Sequence, residues 1–122
     1  MRNALFIVLA FSIIIGTVSC GKDEAPDTSA YDCTNLTPTY TNTVKAIFDA
    51  SCAFSGCHGG GSAEEGVDLS SYSSARSASL NGKVLASMEH KSGVKAMPQG
   101  GAKLPAEQIA AVACWIKNGA PE

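Results

Sequence analysis

The chain has 122 residues, nine Lys and Arg against eleven Asp and Glu, a formal net charge of −2, and five cysteines. That length holds one small domain with a modest core. The slightly acidic balance, with its lysines scattered along the chain, excludes a surface built to bind nucleic acid.

Arg2 supplies a positive start, Ala4 to Gly16 form an apolar run, and small polar residues then lead to Cys20. Thirteen residues are too few for a membrane span, which needs about 20 apolar residues, and the pattern is that of a secretory signal peptide. The end at Cys20, after Thr17-Val18-Ser19, resembles a bacterial lipoprotein signal. On that resemblance residues 1–19 are removed and Cys20 becomes the lipidated N-terminus. Ordinary cleavage nearby, leaving Cys20 as a free thiol, is the competing reading. Lys22-Asp23-Glu24 resembles the short signal that sends some Bacteroidetes lipoproteins to the cell surface, and an acidic linker explains it equally well. The expected location is therefore exported and lipid-anchored, facing the periplasm or the cell exterior. Without residues 1–19 the chain keeps 103 residues, eight basic and eleven acidic.

Residues 20–40 are polar, carry Pro26 and Pro38, and show no periodicity, which predicts a tether, ordered near Cys33 if that cysteine is bridged. A domain is expected over residues 41–122. Val44, Ile47, Phe48 and Ser51 share one helical face, so a first helix is predicted from about Thr43 to Ser51, capped by Thr41 or Asn42. Such a helix delivers Cys52 at its C-terminal end. His58-Gly-Gly-Gly-Ser62 then breaks regular structure. Leu69 to Ala78 has room for a short helix, and Val84, Leu85 and Met88 predict another within Leu80 to His90. Ser92 to Lys103, with three glycines and Pro98, reads as a loop. The last helix opens near Pro105, carries Ile109, Val112, Ala113 and Ile116 on one face, and stops at Asn118-Gly119. No segment alternates with period two, so the expected fold class is all-α.

The chemistry concentrates in Cys52-Ala-Phe-Ser-Gly-Cys57-His58 and, 39 residues later, Met97-Pro98. Two thiols can anchor a porphyrin through its vinyl groups, the adjacent imidazole can bind iron from one side, and a distant thioether can bind from the other. The usual attachment motif has two residues between the cysteines, and here there are four. Ala53 to Gly56 must therefore bulge outward, and Gly56 has the backbone freedom to allow it. A plain disulfide between Cys52 and Cys57, with His58 an exposed polar residue, competes for the same residues. A zinc site from Cys52, Cys57, His58 and His90 fits poorly, because exported thiols are generally oxidised and the spacing is not a common zinc pattern. Met97 lies in a Gly-rich polar loop, off any apolar helix face, where ordinary core packing does not explain it. Met88, on a helical face, is well explained as core filler. His90 is the rival distal ligand.

Val44-Lys-Ala-Ile-Phe48, Cys57-His58-Gly-Gly, Gly66-Val-Asp-Leu69 with Tyr72, Met97-Pro98 with Gly101, Leu104, Trp115-Ile116 and Gly119-Ala-Pro121 together resemble a small exported cytochrome c domain, of the kind found in bacterial lipoproteins of Bacteroidetes type. The resemblance spans roughly Thr41 to Pro121. It implies a cytochrome c-like fold of three to five helices around one covalently bound haem c. Cys52 and Cys57 would hold the thioethers, His58 would be the proximal ligand and Met97 the distal one. It also implies that N- and C-terminal helices cross near the haem edge, with Phe48 and Trp115 as the aromatic pair there. No proline lies between His58 and Met97 to orient the imidazole, so a backbone carbonyl within Val67–Ser71 is expected in that role. Arg76, Lys83 and Lys103 are candidates to meet haem propionates, with solvated surface the simpler account.

With Cys20 lipidated and Cys52 and Cys57 on haem, Cys33 and Cys114 remain as a pair. Without haem, the four cysteines allow three connectivities. A Cys33–Cys114 bridge would close a loop of about eighty residues, which chain-entropy arguments value at on the order of 4 kcal/mol. The expected activity is single-electron transfer between redox partner proteins, without catalysis by the chain itself and with no small-molecule substrate evident. The alternatives are a haem-free, disulfide-stapled binding lipoprotein and a haem domain through which electrons reach a larger oxidoreductase.

Overall fold

The computed structural model describes residues 25–122. The signal-peptide and Cys20 lipidation readings lie outside the described residues. Among the described residues there are four α-helices and no strand: α1 Lys45–Ser51, α2 Tyr72–Leu80, α3 Lys83–Met88 and α4 Ala106–Lys117. None of these helices is long and apolar enough to cross a membrane.

The first helical unit starts earlier than the hydrophobic stripe suggests. A wide π-helical turn, Tyr40–Val44, runs directly into α1. Its cap is Thr39, not Thr41 or Asn42. Thr39 Oγ1 accepts from the Asn42 N–H at 3.2 Å, and Asn42 Oδ1 accepts from the Thr39 N–H at 2.8 Å. This reciprocal pair satisfies two backbone donors that a helix start leaves open. Tyr40, Val44, Ile47 and Phe48 are buried along the unit.

Helix α2 is capped by Ser71, whose Oγ accepts from the Ser74 N–H. It buries only Ala75 and Ser79 fully. The helix expected within Leu80 to His90 is shorter at both ends, because Leu80 closes α2. Gly82, at φ +86, turns the chain between α2 and α3, a conformation that a residue with a side chain adopts only with strain. Val84, Leu85 and Met88 then face the core.

Helix α4 is the main packing element and touches the π-helical turn, α2 and α3. It buries Cys114 and Trp115 beside the expected stripe. It ends with Gly119 at φ +88, where the Ala120 N–H donates to Trp115 O at 2.8 Å and the Gly119 N–H to Ile116 O at 3.0 Å. These bonds form a Schellman motif. Phe48 meets Trp115 edge-on, with ring centres 6.3 Å apart and planes at 82°, a favourable arrangement of two ring quadrupoles. Tyr40 stacks obliquely between Trp115 and Tyr72. Trp115 Nε1–H donates to Pro121 O at 2.7 Å and Tyr72 Oη–H to Ala120 O at 3.0 Å. The N–H groups of Tyr40 and Thr41 donate to the main-chain oxygens of Pro121 and Glu122, each at 3.0 Å.

The segment before Pro38 is docked from Tyr31 onward. Cys33 and Cys114 form a disulfide. Lys117 Nζ donates to Tyr31 O at 3.0 Å, and Asn118 Nδ2 to Leu36 O at 3.2 Å. Tyr31 Oη–H donates to Glu89 Oε1 at 2.6 Å. One short segment thus joins the end of α4 to the end of α3.

Candidate functional site

Helix α1 ends at Ser51, and the next eight residues form a closed loop rather than a helical continuation. The Cys52 and Ala53 N–H groups both donate to Phe48 O at 2.8 Å. The His58 N–H donates back to Cys52 O at 3.1 Å, and the Cys57 and Gly59 N–H groups donate to Phe54 O at 3.0 Å. Gly56 sits at φ +80 at the tip, and Phe54 is half exposed. The four residues between the cysteines therefore loop outward, and the loop closes on itself by backbone bonds. Gly59 is needed for a different reason. A Cβ there would overlap the Ala53 carbonyl and press on Phe54 O.

The segment after the loop holds His58 in place. The Leu69 N–H donates to His58 O at 2.8 Å, and the Glu64 N–H to Cys57 O at 2.7 Å. The His58 ring is fixed by its Nδ1, 2.9 Å from Val67 O. A carbonyl only accepts, so Nδ1 carries the proton, and in the neutral ring Nε2 is then the nitrogen with the lone pair. Val67 thus holds the imidazole where the sequence showed no proline to do so.

A cavity of about 700 Å³ lies beside these residues, lined by Cys52, His58, Val67, Leu69, Met88 and Met97 among others. That volume is within the range of about 300–1,000 Å³ usual for sites that enclose a small molecule or cofactor. The structure brings Cys52, His58 and Met97 to one wall system. Cys57 is exposed and outside the cavity lining. Cys52 and Cys57 are both free thiols, not a disulfide. Burial, and secondarily the neighbouring Cys57, push the Cys52 thiol up to about 11. Among the described residues no three His, Cys, Asp or Glu side chains converge on one point.

His90 lies elsewhere. Its Nε2 is 3.0 Å from Met97 O, so the ring donates to that carbonyl, and it does not line the cavity. Met88 does line it, although it is also 98% buried core; its helical spacing with Val84 and Leu85 was the available signal, and it reads the same for core or cavity. The cavity also takes polar side chains from Glu65, Asp68, Lys83 and Lys95. Hydrogen bonds from the Ser70 side chain and N–H hold the Asp68 carboxyl below its usual range. Arg76 and Lys103 are exposed and away from the cavity lining.

A family model described as "Cytochrome C oxidase, cbb3-type, subunit III" matches residues 40–116. The match begins at the π-helical turn, includes every cavity residue named above and ends within α4. No curated protein and no solved structure matches the chain.

Proposed function

From the premise that the chain belongs to the cbb3-type cytochrome c oxidase subunit III family, and so contains a cytochrome c domain that binds haem c and carries electrons, we propose that it is a monohaem cytochrome passing single electrons outside the cytoplasm. In this reading the chain is tethered through a lipid on Cys20, after removal of residues 1–19. The tether and the location rest on the sequence features of residues 1–24.

The observation that carries the proposal is the convergence of Cys52, His58 and Met97 on one cavity. Bound there, haem c supplies a reversible one-electron iron couple. The donor set fits such a group: two unpaired thiols, an imidazole with a free Nε2 and a thioether. Cys52, in the cavity wall, and Cys57, exposed just outside it, would anchor the macrocycle, and His58 and Met97 would bind its iron. The Val67 carbonyl fixes the imidazole tautomer and strengthens His58 as a donor. Of the charged residues at the cavity, Lys83 and Lys95 could meet the carboxylates of a haem, while Glu65 and Asp68 balance them in number. With both His58 and Met97 engaged, the iron would have no position open to oxygen or peroxide, which would suit electron transfer. The free thiols favour this reading over a haem-free lipoprotein stapled between Cys52 and Cys57. The engagement of His90 with a backbone carbonyl favours Met97 as the distal ligand.

The family description supports a second reading, in which the domain delivers electrons into a larger oxidoreductase. Both readings share the same site and differ only in the partner.

Expression of the full chain with a cytochrome c maturation system tests the proposal. A reduced pyridine haemochrome spectrum should report one haem per chain, and Met97→Ala should open the ferrous iron to carbon monoxide. A colourless, correctly folded product overturns the reading.

A further inference from the structure

We propose that His90 is a positioning residue which fastens the backbone of Met97 and thereby aims its thioether into the cavity; this rests on the reading of Met97 as the distal ligand. Helix α3 ends in a Schellman motif centred on His90. Its N–H donates to Ser87 O at 3.1 Å, and the Lys91 N–H donates to Ala86 O at 3.0 Å. His90 has φ +56. Glycine or asparagine is the ordinary occupant of that position, and a larger side chain holds it with strain. Backbone geometry alone therefore gives no reason for a histidine.

The side chain supplies the reason. The ring Nε2 donates to Met97 O at 3.0 Å, and the Met97 N–H donates to Ser87 O at 3.0 Å. Both peptide groups flanking the Met97 Cα are thus tied to the last turn of α3. With both sides held, the Met97 Cα–Cβ bond is aimed, and the thioether starts from a fixed point beside the cavity it lines. The rest of the loop has little to hold it, since Ser92, Gly93, Lys95, Ala96, Gln99 and Gly100 are exposed. The far end of the same turn is anchored through Glu89, which accepts from Tyr31 Oη and pairs with Lys91 Nζ at 3.0 Å. The latch is therefore built on a fixed part of the molecule.

Glycine at position 90 separates a positioning role from a structural one. His90→Gly suits the positive φ, so the helix end is kept or improved while the donor to Met97 is lost. His90→Asn also suits that φ and carries its donor closer to the backbone. His90→Gln keeps a donor at similar reach. In the haem-loaded protein, Met97→Ala first establishes the ligand by opening ferrous iron to carbon monoxide. His90→Gly is expected to leave the far-UV dichroism unchanged and the thermal midpoint at or above wild type. It should weaken the thioether–iron absorption band and speed carbon monoxide association about fivefold, the effect of losing one hydrogen bond. His90→Asn should behave likewise, and His90→Gln should restore the wild-type band. If His90→Gly and His90→Asn match wild type in band and association rate, the positioning role is overturned while Met97 stands as ligand. If Met97→Ala leaves the iron closed and His90→Gly opens it, His90 is itself the ligand and both readings fall.

Discussion

His58 donates its Nδ1–H to the carbonyl of Val67 across 2.9 Å, and the glycine just before Val67 turns that carbonyl into place. Gly66 has φ +70 with open space where a Cβ would stand, so Gly66→Ala tests conformation without a clash. It should cost about 1–2 kcal/mol of stability and loosen the ring of His58. Urea unfolding reads the first effect. A shift in the low-spin ferric resonance of the haem-loaded protein reads the second.

The Cys33–Cys114 bridge spans 81 residues of sequence. Cys33→Ala removes it and leaves Cys114 buried in α4. Chain-entropy arguments give a loss on the order of 4 kcal/mol, seen as a lower urea midpoint. Reductant should lower the wild-type midpoint towards the variant and leave the variant unchanged.

Phe48 is fully buried and forms a T-shaped pair with Trp115. Phe48→Ala should cost about 3–5 kcal/mol, by lost burial and the cavity left behind. Phe48→Leu keeps most of the volume and should cost less than half of that. Unfolding followed by Trp115 fluorescence measures both.

Two nearby glycines separate steric need from mere flexibility. A Cβ on Gly59 would overlap the Ala53 carbonyl, whereas one on Gly61 meets nothing. Gly59→Ala should cost about 1–3 kcal/mol by overpacking and reduce covalent haem incorporation. Gly61→Ala should match wild type in both, read by unfolding and by pyridine haemochrome yield.

Before haem attachment the two thiols should differ in reactivity. Burial raises the Cys52 thiol from an ordinary 9.0 to about 11, while Cys57 is exposed. Iodoacetamide at pH 8 should label Cys57 first, with peptide mass analysis giving the order. Between those two values the folded chain keeps a proton that the unfolded chain releases. Stability of the haem-free chain should therefore fall as pH rises from about 9 to about 11. Tyr31 and Tyr40 are also raised by burial and add to the slope. The part due to Cys52 is the difference between wild type and Cys52→Ala, measured as urea midpoints at pH 8 and pH 10.

The helix faces were legible because burial follows spacing: Val44, Ile47, Phe48, Ile109, Val112 and Ile116 are core residues where the 3.6-residue period puts them. The helix starts were less so. Thr39 caps through a reciprocal bond with Asn42, upstream of the hydrophobic stripe that drew the boundary. Two helices were expected here, but the division falls at Gly82 rather than before Leu80, since an apolar period does not show where a left-handed residue falls. The cavity set Cys52, His58 and Met97 was marked by residue type and loop context. A carbonyl within residues 67–71 was expected to orient His58, but which one was not legible, and the role of His90 was not legible at all. The Val67 carbonyl is a backbone atom that every residue carries, and the turn of His90 towards Met97 O depends on how α3 ends.

The bonds from Tyr40 and Thr41 to Pro121 and Glu122 bring the two margins of the helical body to one pole. Chain can join or leave there without threading the interior, so the unit behaves as a cassette. Spliced between two segments of a host protein, it would have to carry residues 31–36 as well, because Cys33 bridges Cys114 and Lys117 and Asn118 hold that stretch against α4. Its cavity would stay oriented by the same seam that closes the fold.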